Sequence, residues 1–550
     1  MSAQTVADLL RERAETRGGE LALRCRAGEA WREHTWASYW AGARRAAAGL
    51  WARGIRPGAH VLMLVTDIEP AILAMFGAWS IGAVPIQVGL PFRASELGSF
   101  VAQLRETARR LDADALVLSK LLVAHASAAD LPVFAVEDLL ACAEEPELPD
   151  PAAAATRTAL IQLTSGSTGR PRGVVLGHDR LMHHLGAISR ALPSHAESAA
   201  VSWLPLHHDM GLIGGLLFPF FNGFVAHMMS PLEFRAHPLA WLEVMAHRRA
   251  TICAAPPSAY AMTLRLARRA IEAELDLSRW ECAMIGAEPI SAELLRRFAD
   301  AFAPTGFRAE AFFPVYGLAE ATVAVSFPRL LAPTRIDRVD RATLEREGEA
   351  RPFAGPGALE LVAVGRAIPG TELRVVDAAG ADLPERHVGE LRVRAASLMQ
   401  GYYAEPSASA AVLAEGWLHT GDLGYVAEGE LFITGRSKDL IIRGGLNLIP
   451  TVIEELATEV DGVRPGGVAA VGVHEPELET QLVHLVAETR LEPSAWPELR
   501  RRLVATLEAQ GVTVDRIVLV APGTLPRTTS GKLRRREIAE ALARGDAPGS

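Results

Sequence analysis

The sequence predicts an α/β fold with a large N-terminal domain of βα-type subdomains, a β-rich module and a small α+β C-terminal domain. Helical and strand-like patterns alternate through much of the first 325 residues, which favours βα units around a mostly parallel sheet. From Leu359 the pattern changes to short alternating strands separated by Gly, Pro and Asp turns. After Asp439 it changes again, to the strands and helices of a compact unit that continues to about Leu542.

These changes predict the domain boundaries. The N-terminal domain is expected to span residues 1–437, with its β-rich module at about 326–437, and the C-terminal domain to span 438–550. A chain of 550 residues exceeds what one hydrophobic core usually holds, so two or more domains are expected.

The individual elements follow from hydrophobic periodicity. Helices are predicted where apolar residues recur at helical spacing, at 1–17, 70–81, 94–111, 241–247 and 259–274. Strands are predicted in the α/β part at 58–66, 83–88, 159–163, 173–176, 199–204, 251–254 and 282–285. The β-rich module contains predicted strands at 359–364, 372–376, 389–393 and 430–434.

Composition argues against several classes of protein. With 49% hydrophobic and 22% charged residues and a net charge of −9, the chain has an ordinary globular composition and no basic domain for nucleic acid. The apolar stretch at 210–225 is shorter than the ~20 residues of a membrane span and is interrupted by glycines, so no integral membrane segment is expected. The four cysteines have neither metal-site nor disulfide spacing, which indicates a reducing, cytoplasmic compartment.

The loop from Thr164 to Gly173 reads TSGSTGRPRG and is the most informative stretch. Its glycines permit close backbone approach, while its hydroxyl and N–H groups can surround phosphate oxygens. It is not a Walker loop, because Arg170-Pro171 follows the last glycine of the cradle and disfavours immediate helix entry. Strong strand formers on both sides argue against a flexible linker, so the loop predicts a nucleotide site.

Further motifs supply groups that phosphate chemistry on a carboxylate needs. Glu320, in YGLAEAT at 316–322, is a candidate Mg²⁺ ligand beside the aromatic ring of Tyr316. Asp422, in TGDLG, can accept hydrogen bonds from ribose hydroxyls, and Lys532, in TTSGKL, can stabilise developing negative charge. Taken singly, each also fits an ordinary solvated acid, turn or basic surface.

The pair His207-His208 and the following Asp209 lie beside a strongly apolar run. Histidine in such a place is more often a satisfied core residue than a catalytic one. The three residues together also suit a pocket that orients a carboxylate at the mouth of an apolar tunnel. Both interpretations stay open at this point.

In this order along the chain, the motifs resemble those of the adenylate-forming superfamily, which includes acyl-CoA synthetases, peptide-synthetase adenylation domains and luciferases. Within it, WLPLHHDMGLIG at 203–214 and YGLAEAT resemble the fatty acyl-AMP ligases. The segment 327–363 is long for a link between motifs and resembles the insertion of those ligases. The resemblance implies a distorted β-barrel-like module and a mobile C-terminal domain.

The resemblance implies a role for each matching residue. The β- and γ-phosphates of ATP would be held by Thr164, Ser165, Gly166, Ser167, Thr168 and Gly169. The adenine would face Gly286, Ala287 and Glu288, with Tyr316 stacking on it, and Gly317 would also belong to the nucleotide site. The acyl carboxylate and the start of its chain would be bordered by His208, Asp209, Met210 and Gly211.

The remaining roles concern charge and movement. Glu320 would bind Mg²⁺ and Asp422 the ribose, and Arg436 would contact the ribose or a phosphate. Lys532 would bridge the acyl carboxylate and the α-phosphate during adenylation. Lys438 matches the hinge of the C-terminal domain.

Two features depart from the family pattern. Arg172 stands where the loop more often carries lysine, which keeps the charge but changes its geometry. After the hinge, RGGLNLIP at 443–450 is closer to acyl-CoA ligases than to fatty acyl-AMP ligases. The second departure weakens the choice between a carrier-protein thiol and CoA as the acceptor of the acyl group.

The implied function is ATP-dependent activation of a fatty or other hydrophobic carboxylic acid to an acyl-adenylate with release of pyrophosphate. The acyl group would then pass to the phosphopantetheine thiol of an acyl carrier protein, with CoA as the alternative acceptor. An acyl-CoA or aryl-CoA ligase, an amino-acid-type adenylating enzyme and an inactive nucleotide-binding scaffold are the other hypotheses.

Overall fold

The computed structural model describes residues 5–89, 97–126, 131–142, 147–151, 158–164, 171–355, 358–444, 446–475, 480–528 and 532–546. Within these ranges its elements are those of a mixed α/β protein, as predicted. No described helix combines the length and the apolar character that a membrane crossing needs.

The largest sheet has seven strands. In spatial order they are Phe312–Pro314, Cys282–Ile285, Ile252–Ala255, Ala199–Ser202, Val225–Met228, Leu21–Ala27 and Ala30–Thr35. All neighbours are parallel except the last pair, which forms an antiparallel hairpin. Almost every residue of the central strands is buried, as in a parallel sheet covered on both faces.

A second parallel sheet has four strands. Their order is Val84–Gln87, His60–Leu64, Ala115–Leu118 and Val133–Ala135. A small antiparallel sheet of Gly401–Tyr402, Arg172–Gly177 and Thr158–Thr164 carries the glycine-rich loop between its last two strands. The predicted strand pair on either side of that loop is therefore present, while 165–170 lie outside the described residues.

The β-rich module contains a five-stranded antiparallel sheet. Its strands are Thr371–Val376, Gly389–Ala395, Trp417–Ala427, Leu413–Ala414 and Glu430–Arg436. Two short antiparallel pairs accompany it, formed by Ser326–Phe327 with Arg366–Ala367 and by Ile336–Val339 with Leu359–Val362. No closed barrel is formed by the described strands of this module.

The C-terminal part has its own sheet and hydrophobic core. Its strands are Val463–Glu475, Thr480–Thr489 and Arg516–Val520, preceded by the hairpin Ile441–Arg443 and Leu446–Leu448. Two hydrophobic clusters, formed within 441–542, cover the two faces of the three-stranded sheet. A large N-terminal domain and a smaller C-terminal domain follow from these separate cores.

The helices fill the connections between strands. The described α-helices are Val6–Arg17, Trp36–Ala52, Ile68–Ser80, Leu97–Arg110, Lys120–Ala126, Val136–Leu140, His178–Ala191, Phe218–Asn222, Pro231–Ala236, Leu239–His247, Pro257–Leu264, Ala267–Glu272, Ala292–Phe302, Arg341–Glu347, Pro406–Val412, Pro450–Thr458, Trp496–Ala509 and Arg535–Ala543. Met210–Leu217 is a π-helix, and short 3₁₀ turns lie at Ala303–Thr305, Ala309–Ala311, Ala319–Ala321 and Pro493–Ala495.

One predicted element is wrong as stated. The single helix expected at 259–274 is two helices, Pro257–Leu264 and Ala267–Glu272, and Leu266 between them has φ −106° and ψ 5°. The hydroxyl of Thr263 donates to the carbonyls of Ala259 and Tyr260, at 3.1 Å each. A hydroxyl bonded to carbonyls of the preceding turn tends to bend a helix, so the break follows this threonine.

Candidate functional site

The carboxyl ends of two neighbouring parallel strands bring the candidate adenine residues together. Gly286 follows Cys282–Ile285, and Tyr316 follows Phe312–Pro314. A Cβ at Gly286 would lie 2.9 Å from the carbonyl oxygen of Val315, so glycine is needed for the strands to approach. Ala287 has a φ of +68°, which turns the chain sharply at this edge of the sheet. Such edges are where α/β folds bind ligands.

Asp422 joins this edge to the antiparallel sheet. Its Oδ2 accepts a hydrogen bond from the Tyr316 phenol at 2.7 Å, and its Oδ1 accepts one from Nε–H of Arg436 at 2.8 Å. Asp422 is 5% exposed and Tyr316 is 8% exposed. Burial, with the charge of Asp422, raises the pKa of Tyr316 well above its ordinary value, which keeps the phenol a donor.

Glu320 lies in the 3₁₀ turn Ala319–Ala321 and is oriented by a residue that the sequence did not single out. The phenol of Tyr402 donates to Oε1 of Glu320 at 2.8 Å. Burial, with the charge of Glu320, raises the pKa of Tyr402. The guanidinium of Arg172 lies 5.1 Å from the centre of the Tyr402 ring. Arg172, which departs from the family pattern, therefore contacts the tyrosine that binds Glu320.

The donor set around Glu320 fits a Mg²⁺ ion only if the substrate supplies most of its oxygens. Among the described residues no group of three or more His, Cys, Asp or Glu side chains could hold a metal ion. Mg²⁺ usually binds one or two carboxylates together with phosphate oxygens and waters, and Glu320 can supply one such oxygen.

His208 and Asp209 lie within hydrogen-bonding distance of each other at the start of the π-helix Met210–Leu217. Nδ1 of His208 lies 2.7 Å from Oδ1 of Asp209, which also accepts the Met210 N–H at 2.8 Å. Burial alone would raise the pKa of Asp209, but the charge and hydrogen bond of His208 and the charge of Lys532 together lower it. Asp209 therefore stays ionised, and the charge of Lys532 contributes to this.

Lys532 closes a hairpin in the C-terminal domain. Its carbonyl accepts the N–H of Thr528 at 2.8 Å, and its own N–H donates to Oγ1 of Thr528 at 3.1 Å. The segment before the hairpin is held by Glu488, whose Oε1 accepts the N–H of Leu525 at 3.1 Å. Glu488 is completely buried and forms an ion pair with Arg464. Sequence reasoning missed Glu488, because its partners are distant along the chain.

Lys438 follows Glu430–Arg436 and lies among charges of the site. Partial desolvation, with the charge of Arg436, lowers the pKa of Lys438, while Asp439, Asp422 and Glu320 act in the opposite direction. The charge of the predicted hinge residue therefore interacts with those of Asp422 and Glu320.

Other predicted site residues have structural partners of their own. The carboxylate of Glu288 accepts the N–H of Ser258 at 2.9 Å and its hydroxyl at 3.1 Å. The hydroxyl of Thr164 donates to the carbonyl of Arg172 at 3.5 Å, across the base of the glycine-rich loop. Gly317 packs so closely that an added Cβ would lie 1.6 Å from the carbonyl oxygen of Val323. The predicted phosphate-binding residues Ser165, Gly166, Ser167, Thr168 and Gly169 lie outside the described residues.

An apolar cavity adjoins these residues. Tyr316 and Asp209 line it on the side of the polar cluster, and Ile188, Phe218 and Ile252 are among its apolar lining residues. A concave site lined by apolar side chains with a few polar groups has the chemical character of a ligand site. The arrangement can hold an apolar group beside Tyr316 and Asp209.

Comparisons with known proteins agree with this geometry. A family model described as AMP-binding enzyme matches residues 10–403. The chain is 35% identical over 510 residues to the putative acyl-CoA synthetase of Caulobacter vibrioides, covering 90% of this chain and 88% of that protein. It is 33% identical to the medium-chain-fatty-acid–acyl-carrier-protein ligase TtuA of Teredinibacter turnerae, covering 72% of this chain and 64% of that one.

A solved structure extends the similarity to the whole fold. It comes from a study of fatty acyl-adenylate ligases from E. coli and L. pneumophila and superposes with a TM-score of 0.89. It is 31% identical, and the alignment covers 98% of each chain. The likeness therefore includes the C-terminal part as well as the sheets that carry Tyr316 and Asp422.

Proposed function

Because the chain belongs to the family of AMP-binding enzymes, we propose that it uses ATP to convert a fatty or other hydrophobic carboxylic acid into an acyl-adenylate. Pyrophosphate is the other product. One observation carries the proposal: Tyr316 both lines the apolar cavity and donates to Asp422, so the acyl site and the nucleotide site meet at one ring.

The reaction needs positioning and charge neutralisation rather than a protein nucleophile. A carboxylate oxygen of the acid attacks the α-phosphorus of ATP, a carboxyl–phosphate bond forms, and the bond to pyrophosphate breaks. Asp422 would hold the ribose, and Lys532 would neutralise the carboxylate and α-phosphate as they approach. A Mg²⁺ ion held by Glu320 and the phosphates would neutralise charge on the pyrophosphate leaving group.

For the second step we propose the phosphopantetheine thiol of an acyl carrier protein as the acceptor. The thiol loses its proton and its sulfur attacks the acyl carbon, so that a carbon–sulfur bond forms. The bond between the acyl carbon and the phosphate oxygen breaks, and AMP leaves with that oxygen and its electron pair. Support comes from the name of the Teredinibacter relative and from the segment that resembles the family insertion. In this segment Val339 and Leu344 share a hydrophobic cluster with Ile449 and Val452 of the C-terminal part.

CoA is the second candidate acceptor. The name of the Caulobacter relative favours it, and so does the sequence RGGLNLIP that follows the proposed hinge. An amino acid substrate is less well supported, because the carboxylate that would fix its ammonium group, Asp209, is already paired with His208.

The cysteines lack a disulfide framework in the sequence, which supports the reducing cytoplasm as the compartment.

The experiment has two stages. Pyrophosphate release is first measured with ATP, Mg²⁺ and a panel of saturated fatty acids, amino acids and aryl acids. Thioester formation is then compared between CoA, a holo acyl carrier protein and the same carrier without its phosphopantetheine arm. Fatty-acid-dependent release followed by loading of the holo carrier alone supports the proposal. Efficient acyl-CoA formation would contradict the acceptor, and release with amino acids alone would contradict the substrate.

A further inference from the structure

The π-helix Met210–Leu217 contains three glycines, and packing explains two of them. A Cβ on Gly211 would lie 2.3 Å from the carbonyl oxygen of Pro205. A Cβ on Gly215 would lie 2.4 Å from Oγ of Ser202, on the neighbouring strand. Side chains at these two positions would collide with the core, so glycine is required for the helix to pack on the sheet.

Gly214 has no such reason to be glycine. Apart from its two chain neighbours and the nearby backbone of its own helix, no heavy atom of the described residues lies within 4 Å of a Cβ built on it, and its φ is outside the left-handed region. Glycine inside a helix destabilises it relative to alanine, because the backbone loses more freedom on folding. Neither packing nor backbone conformation therefore accounts for the missing side chain.

The space beside Gly214 belongs to the apolar cavity, of which Gly214 is a lining residue. Its neighbours Leu212, Ile213 and Leu216 are buried, whereas Gly214 is partly exposed. A side chain here would project into the space that a ligand needs. The helix is also a π-helix, a form that occurs often at functional sites.

The chemistry of the lining indicates what passes Gly214. Among the described lining residues, Asp209 is the only charged side chain, and it is paired with His208. The phenol of Tyr316 is occupied by Asp422. A hydroxyl or amine on the chain would lose its bonds to water and gain little in return. The cavity therefore suits an unsubstituted alkyl chain.

We propose that Gly214 sets the length of the acyl chain that the enzyme activates, by leaving open a passage for an unsubstituted alkyl chain. The inference rests on the proposed acyl-adenylating function and adds a specificity-determining residue to it. A short acid ends before Gly214 and is insensitive to a side chain there, whereas a longer acid must pass it.

The test uses the full chain and the variants Gly214→Ala and Gly214→Leu. The ratio kcat/KM for pyrophosphate release is measured with hexanoate and with dodecanoate. We expect Gly214→Leu to lower kcat/KM for dodecanoate at least about tenfold, and kcat/KM for hexanoate less than about threefold. The reason is that one apolar contact changes the discrimination between two substrates by about 10–200-fold. Gly214→Ala is expected to fall between the wild type and Gly214→Leu.

Two further measurements separate the proposal from a general effect on folding. Thermal unfolding is compared among the variants and Gly19→Leu, a matched change at an exposed glycine with open space around its Cβ. Binding of hexanoyl- and dodecanoyl-sulfamoyl adenosine, stable mimics of the two adenylates, gives a readout that does not depend on turnover. The binding ratio is expected to change in the same direction as kcat/KM.

Each outcome has a distinct meaning. Equal losses for both acids in Gly214→Leu, or an unchanged value for dodecanoate, would overturn the role of Gly214 while leaving the proposed function intact. A wild type that releases no pyrophosphate with any fatty acid would instead overturn the proposed function, and the inference with it. A selective loss for dodecanoate, with unfolding like that of Gly19→Leu, supports the inference.

Discussion

The phenol of Tyr316 donates a 2.7 Å hydrogen bond to Asp422, a residue 106 positions away in the sequence. Tyr316 follows a strand of the parallel sheet, and Asp422 lies in Trp417–Ala427 of the antiparallel sheet. The bond therefore fixes the relative position of two sheets at the proposed nucleotide site. Because Arg436 binds the second carboxylate oxygen, Asp422 is held in one orientation before any ligand arrives.

Asp422→Asn should weaken ATP binding. The amide keeps the shape of the side chain, but Arg436 loses the carboxylate with which it pairs. The amide also has one acceptor oxygen, whereas the carboxylate uses two, one for Tyr316 and one for Arg436. Hydrogen bonds to charged groups contribute about 1.5–3 kcal/mol, so we expect KM for ATP to rise about 10–100-fold. The matched control is Tyr316→Phe, which keeps the ring and removes one donor, and it should give a smaller rise. A larger rise in Tyr316→Phe would contradict the central role of the carboxylate.

Lys532→Ala should abolish most pyrophosphate release. Its charge acts on Asp209, and loss of one preorganised charge-stabilising group typically costs about 10²–10³ in kcat. Arg536→Ala is the control, because Arg536 is exposed and pairs with Glu540 on the same helix. Stopped-time pyrophosphate assays with saturating substrates give the comparison. Equal activity in Lys532→Ala and the wild type would revive the hypothesis of an inactive scaffold.

Glu488→Gln should reduce adenylation by displacing the Lys532 hairpin. Burial raises the pKa of Glu488, but the N–H groups of Leu525 and Gly523 and the pairing with Arg464 lower it overall, so the carboxylate is charged in the fold. An amide would bind Arg464 and the loop more weakly. We expect kcat for pyrophosphate release to fall about tenfold or more, with KM for ATP nearly unchanged.

A second readout distinguishes positioning from a loss of folding in Glu488→Gln. Transfer to the acceptor thiol is measured from acyl-adenylate supplied ready-made, a step that does not need Lys532 to approach the α-phosphate of ATP. This transfer should be retained. Glu498→Gln, at an exposed ion pair with Arg501, is the matched control and should leave both steps unchanged. Parallel loss of both steps in Glu488→Gln would indicate a purely structural role.

Local sequence patterns predicted the fold and the motif residues better than the contacts among them. The strand at 282–285 has its predicted bounds, because an apolar run of only four residues is too short for a helix and lies where the alternating α/β pattern requires a strand. The pairing of Tyr402 with Glu320 joins residues 82 positions apart, and no periodicity encodes such a partner. Glu488 also could not be identified from the sequence, where it is one acidic residue in a strand. In the structure its side chain is fully buried and paired with Arg464.

The stability of the fold should fall as the pH drops below about 6.5, and His184 is one identifiable cause. Its ring is completely buried, Nε2 accepts the N–H of Ala324 at 3.0 Å, and Nδ1 therefore carries the proton and donates to Ser397 at 3.1 Å. Burial lowers the pKa of His184 to about 3, whereas an unfolded histidine titrates near 6.5. Between these values the unfolded chain binds a proton that the folded chain does not.

The sign of the effect follows from that difference in bound protons. Stability is full above pH ~6.5 and decreases as the pH falls toward about 3, by about 1.4 kcal/mol per pH unit for one such histidine. His184→Gln removes this contribution, so the free energy of unfolding in urea, measured from pH 7.5 to 5, should vary less steeply with pH. The exposed His237→Gln is the control and should retain the wild-type slope. If the free energy of unfolding of both variants varied with pH as steeply as that of the wild type, His184 would not be a source of acid sensitivity. The buried rings of His178, His207 and His227 would then have to account for it.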